Sequence, residues 1–71
     1  MNASPTHLYV GRRERVIAEM GGLQYLYAGK YLASPYGEPD FDSEGASSKK
    51  ELKALIEEYR RAYPGIIICW V

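Results

Sequence analysis

The last six residues, Ile66-Ile67-Ile68-Cys69-Trp70-Val71, are all apolar and follow a Pro64-Gly65 turn. No other segment constrains the fold as strongly. A frayed segment left in water is usually polar, and a strand with one wet face alternates polar and apolar residues. This run does neither, so both Ile66/Ile68/Trp70 and Ile67/Cys69/Val71 demand cover. A chain of 71 residues has little material to supply it. At about 1.5 kcal/mol per ordered residue, folding costs on the order of 100 kcal/mol of entropy, so nearly every large apolar side chain must be used. The mismatch points to a partner.

The length predicts one domain, residues 1–71, near the lower limit for folding without staples. Its clearest element is a helix over Lys49–Tyr63. Ser48 and Glu51 have the S-x-x-E spacing of a capping box. Leu52, Leu55, Ile56, Tyr59, Ala62 and Tyr63 recur at helical spacing as one apolar stripe. Glu57 and Arg61 are spaced to pair, Arg60 and Arg61 suit the negative end of the helix dipole, and Pro64-Gly65 stops the helix. Such a helix spans roughly 22 Å and six residues of strand about 20 Å, so the final strand can return along it.

Leu23–Tyr27 and Lys30–Ser34 read as a hairpin about Ala28-Gly29. Tyr27 then faces Lys30, Leu26 faces Tyr31, Tyr25 faces Leu32 and Gln24 faces Ala33. One face carries Leu23, Tyr25 and Leu32, the other Leu26, Tyr31 and Ala33, and neither is polar. Thr6–Val10 predicts a short strand. Residues 11–20 predict a short helix stopped by Gly21-Gly22, with a second strand as the alternative. Residues 35–47 predict a long acidic loop with two prolines and two glycines. The expected architecture is α+β: a small antiparallel-rich sheet with helix cover on one face. The preferred order is β-α-β-β-α-β, as in ferredoxin-like folds, with β-β-β-β-α-β as the alternative.

Charge narrows the function classes. Nine Lys and Arg balance nine Asp and Glu, which argues against a dedicated nucleic-acid binder and leaves little repulsion against self-association. Cys69 is the single cysteine, so no internal disulfide or two-cysteine metal site can form. The longest apolar run is far short of a membrane span, and the first residues lack a basic-then-apolar leader pattern, so a cytoplasmic protein without membrane partners is expected. Tyrosine is the compositional oddity, with seven against one Phe and one Trp. Small sheets favour it for half-burial, and interfaces favour it as an amphipathic contact.

Three constellations bear on chemistry. Residues 40–51 nearly fit a calcium loop, with oxygen ligands from Asp40, Asp42, Glu44, the Ala46 carbonyl, Ser48 and Glu51, and Gly45 at the sharp turn. Against it stand the missing entering helix, Glu44 in place of Asp or Asn, and polar Ser47 at an apolar position, so no metal is expected. Arg12, Arg13, Arg15, Arg60 and Arg61 could form a basic patch if the two helices lie side by side, with sheet tyrosines to stack bases. The glycine-flanked aromatic signature of RNA-recognition strands is absent, so nucleic acid is the alternative and not the preferred partner. His7 and Cys69 could meet if the first and last strands pair, but a cysteine between Ile68 and Trp70 reads as a small core residue. No nucleophile elbow or phosphate-cradling loop is visible, and neither an enzyme nor a cofactor is expected.

The favoured expectation is a protein-interaction module that binds through an uncovered sheet face or sheet edge, with Leu26, Tyr27, Tyr31 and Trp70 as anchors. A second copy is the simplest partner. A different protein partner would suit an accessory or inhibitor protein. Compact inhibitors from phages and mobile elements, anti-CRISPR proteins among them, share this size, and the likeness is of size alone.

Overall fold

A computed structural model describes residues 4–20, 29–36 and 43–71. Their elements run β1 (His7–Arg12), α1 (Arg13–Glu19), β2 (Tyr31–Tyr36), β3 (Glu44–Ala46), α2 (Lys49–Ala62) and β4 (Ile67–Trp70). They form a small α+β unit with one four-stranded mixed sheet, ordered β3-β2-β1-β4. β1 is antiparallel to β2 and parallel to β4, and β2 is antiparallel to β3.

The described elements follow one another as β-α-β-β-α-β, but β2 and β3 lie at 31–36 and 44–46 and not at the expected 23–27 and 30–34, and the spatial order is not ferredoxin-like. In a split β-α-β arrangement the first helix carries the chain back so that the next strand runs parallel to the first. Here α1 is seven residues long, and β2 returns beside β1 antiparallel to it. The split unit is instead β3-α2-β4. Its two parallel strands form opposite edges of the described sheet, with β2 and β1 between them.

Two expectations about the middle of the chain are corrected. Tyr31, Leu32 and Ala33 pair with Arg12, Gly11 and Val10 on one side and with Ala46, Gly45 and Glu44 on the other. The expected hairpin register therefore has no free side to occupy, and residues 23–28 lie outside the described residues. The expected acidic loop is also shorter than residues 35–47. Pro35 and Tyr36 still belong to β2, and Glu44–Ala46 is a strand. Pro35 pairs with Leu8 at a point where the β3 ladder has ended, so its missing N–H removes no ladder bond.

α2 begins as the sequence indicates, with one change in the cap. The Ser48 hydroxyl accepts from the Glu51 N–H at 3.2 Å. The Glu51 carboxylate turns to Ser47, accepting from its N–H at 2.9 Å and its hydroxyl at 2.7 Å. The helix dipole finds cations in its last turn, Arg60 and Arg61. Glu57 pairs with Arg60 at 3.3 Å and not with Arg61 as the spacing had suggested. The apolar stripe buries Leu52 and Ile56 against Leu8, Val10, Ala33, Ala46 and Ile66, with Tyr31, Leu55, Tyr59, Tyr63 and Ile68 packed around them. Ala62 is exposed.

The opposite sheet face is partly sealed. Leu32 and Val16 are fully buried outside that cluster, and α1 packs on β1 and β2. The Ser34 and Ser43 hydroxyls form a buried hydrogen bond of 2.7 Å, leaving neither unsatisfied. Two glycines permit close backbone approach. Gly11 has φ of +149°, and a Cβ there would lie 2.6 Å from the Val71 carbonyl oxygen. Gly29 has φ of +105°, and a Cβ there would collide with the Ala46 carbonyl.

Candidate functional site

The place where cover runs out is β4. α2 packs principally over β2 and β3, so its apolar stripe reaches Ile66 and Ile68 but not the far margin of the sheet. Register with Leu8 and Val10 puts Ile68 and Trp70 on the α2 side, and alternation puts Ile67 and Cys69 on the other. Trp70 is 58% exposed and Ile67 is 55% exposed, so β4 carries a large apolar side chain in water on each of its faces.

Its backbone is open as well. The Ile67 N–H donates to the Thr6 carbonyl at 3.1 Å, and the Val71 N–H donates to the Val10 carbonyl at 2.9 Å. In a parallel ladder each residue turns both its N–H and its C=O to the same side. Ile67, Cys69 and Val71 therefore face β1, while Ile68 and Trp70 direct their main-chain groups outward from the described sheet edge. The strand Ile67-Ile68-Cys69-Trp70 has no charge, proline or bulge to discourage pairing. β3, at the other edge, has only three residues, one of them charged Glu44.

Two surfaces flank this edge. On the α2 side, Lys53, Ile56, Glu57, Arg60, Ile68 and Trp70 line an open groove of about 200 Å³. On the other side lies an aromatic platform. His7 stacks on Tyr9 with ring centroids 6.5 Å apart, and Tyr9 meets Tyr36 edge-on at 6.0 Å. Pairing across the sheet sets Tyr36, His7 and Ile67 in one row, and Ser34, Tyr9 and Cys69 in the next. Tyr36 is exposed, while His7, Tyr9 and Cys69 are half-buried.

Of the anchors read from the sequence, Trp70 lies on this exposed margin. Tyr31 packs against the α2-side core instead of an open face. Leu26 and Tyr27 lie outside the described residues. The sequence points to Tyr9 among the sheet tyrosines and to His7 beside Cys69, but not to their grouping with Tyr36, because their neighbours across β1 and β2 are more than twenty residues away in sequence. Their only local signal was the alternation Leu8/Val10 against His7/Tyr9.

The five arginines do not share one surface. Arg12 ends β1 and Arg13 opens α1 beside Lys30, whose carbonyl accepts from the Arg13 N–H. Arg60 and Arg61 end α2, which leads into β4 next to His7, at the opposite end of β1. Six residues of strand separate these ends by roughly 20 Å. Arg15 lies within α1.

The calcium-loop geometry is not found at the described positions. Gly45 lies in a strand opposite Leu32 and not at a sharp turn, and the Glu51 carboxylate is engaged by Ser47. Asp40 and Asp42 lie outside the described residues. No group of three His, Cys, Asp or Glu side chains among the described residues could hold a metal ion. His7 and Cys69 share a face but are not opposite each other. Tyr9 pairs with Cys69, and the His7 ring meets the Thr6 hydroxyl at 2.8 Å. No helix among the described residues is long and apolar enough to cross a membrane.

Compared with protein-family models, curated proteins and solved structures, the chain matches none.

Proposed function

We propose that this chain is a small protein-interaction module that binds through the β4 side of its sheet. One observation carries this: an uncharged strand at the edge of the described sheet exposes Ile67 on one face and Trp70 on the other, with main-chain groups between them that no other described strand pairs. Exposed apolar side chains cost free energy in water, unpaired strand groups are a template for pairing, and an added strand uses both together. An accessory or inhibitor protein needs no more machinery than this. The alternative of a nucleic-acid module has an aromatic platform in its favour, but the arginines lie at opposite ends of the sheet and do not form the single patch that reading calls for.

Capture experiments test the proposal. Wild-type protein and the Ile67→Lys/Trp70→Lys variant are each immobilised and exposed to an extract of the source organism and to untagged copies of the chain. Loss of every specifically bound protein, including the untagged copy, with unchanged circular dichroism is expected of the variant. Identical captured sets from both forms would remove the β4 side as the binding surface. A mobility shift with single-stranded RNA or duplex DNA that salt abolishes would replace the proposal with the nucleic-acid alternative.

A further inference from the structure

We infer that the occupant of the β4 edge is the β4 edge of a second copy, antiparallel, with Cys69 at the two-fold axis. This rests on β4 being the binding surface and adds the partner and the register. Each copy presents outward groups from two residues, Ile68 and Trp70, spaced two apart. In an antiparallel pair, hydrogen-bonded residues exchange both bonds, so outward residues must oppose outward residues. Three symmetric registers meet that condition.

Centring on Ile68 would bring Ile66 opposite Trp70, but the Ile66 N–H already donates to the Tyr63 carbonyl at 3.0 Å. Centring on Trp70 pairs only the Trp70 residues of the two β4 strands, Ile67–Trp70, and so joins fewer of their outward groups. Centring on Cys69 sets Ile68 against Trp70 of the second copy, and Trp70 against its Ile68. Every outward group of both strands is then used, and two four-stranded sheets join into one of eight.

Side chains and charge agree with this register. Trp70 meets Ile68 of the second copy on the α2 side, and Ile67 meets its Val71 on the other, which are favourable aromatic and β-branched cross-strand pairs. No charged residue lies on β4, and the groove beside it carries both signs in Lys53, Glu57 and Arg60. With zero formal net charge, two copies meet without long-range repulsion.

The area sets the strength. A buried aromatic side chain contributes about 150–250 Å², and Trp70 is 58% and Ile67 55% exposed. Pairing therefore covers on the order of a few hundred Å² per copy, below the roughly 800 Å² per partner of a standard interface. An interface of that size belongs to the weak class, and reversible association at micromolar concentrations is expected.

Cys69 makes the register measurable. Opposite residues in a non-hydrogen-bonded antiparallel pair have Cα atoms about 4.5 Å apart, within the roughly 4.4–6.8 Å that a disulfide spans. Diamide joins two such thiols, taking up their two electrons and two protons as it becomes the hydrazine. Sedimentation velocity across concentrations should show monomer passing to dimer in the micromolar range. Diamide should then yield a covalent dimer through Cys69 whose formation falls when the protein is diluted below that range.

Cys69→Ser should keep the reversible dimer and lose the covalent one. Ile67→Lys, at an exposed position, should weaken dimerisation at least ten-fold while thermal unfolding shows a folded chain. A protein that stays monomeric at millimolar concentration overturns the self-pairing. So does a reversible dimer with no Cys69 cross-link, because its register must differ. A monomer that still captures another protein through Ile67 and Trp70 would overturn only this inference, leaving the broader proposal standing.

Discussion

Ser34 and Ser43 show how much a single residue's value depends on its partner. Their buried 2.7 Å hydrogen bond satisfies two hydroxyls in one contact. Ser34→Ala would leave the Ser43 hydroxyl buried without a partner, at a cost of about 1–3 kcal/mol. Changing both to Ala removes both demands, so the double variant should be less destabilised than the sum of the single variants. Urea unfolding of the four proteins in a double-mutant cycle measures that coupling. A coupling energy near zero would mean that the hydroxyls do not depend on each other. The serines gave no sign of this role in the sequence, because Ser43 approaches Ser34 only once β3 has paired with β2.

At the scale of an element, α2 was the most legible part of the chain. Its apolar stripe and its cap are written in consecutive residues, and a helix is closed by contacts within a few positions. What the spacing did not convey is the use of Glu51, whose carboxylate binds Ser47 and not the Ser48 N–H. The Ser47 N–H first, and its hydroxyl second, hold the Glu51 carboxyl below its ordinary value of 4.5. A carboxyl with a depressed folded-state pKa contributes stability that is present above its unfolded pKa and lost as pH falls through the folded one. Stability should therefore decline below about pH 4.5, down through the lowered value, in the wild type. Glu51→Gln should lose that part of the acid dependence, as read by unfolding midpoints across the same pH range. An unchanged slope in the variant would assign the acid dependence to other groups.

The strands were less legible than the helices. The expected strand over residues 6–10 and helix over 11–20 have counterparts in β1 and α1. The expected strand Lys30–Ser34 overlaps β2 at Tyr31–Ser34, but β2 runs on to Tyr36 and its neighbours differ from those expected. β2 is paired on both sides, and its own residues carry no mark of which strands lie beside it. β3 was missed for another reason. Three residues containing Glu44 and Gly45 have no strand propensity of their own and become a strand by pairing with Tyr31–Ala33.

The whole molecule makes one prediction that no single element makes. Because β4 is uncharged and the chain has zero formal net charge, dimerisation through β4 should be insensitive to ionic strength. Sedimentation at low and high salt should give dissociation constants within a factor of about two, since screening acts on charges. A steep loss of association with added salt would show that charged groups, and not the uncharged β4 pairing, hold the interface together. The exposed margin exists because one helix of fourteen residues cannot shield all four strands. It packs over β2 and β3, and β4 takes what cover remains.

The surplus of apolar residues at 66–71, the stripe and cap of α2 and the balance of charge could be read from the chain alone, because each depends on neighbours a few positions apart or on composition. Strand order, the parallel alignment of β4 on β1 and the aromatic platform were decided only by tertiary structure. Pairing partners here are tens of residues apart, and one strand's sequence does not say which neighbour it will meet. The same reason explains why Trp70 could be singled out early but its surroundings could not. Its exposure follows from where α2 settles across the sheet, a choice made by the packing of Leu52 and Ile56 on distant strands.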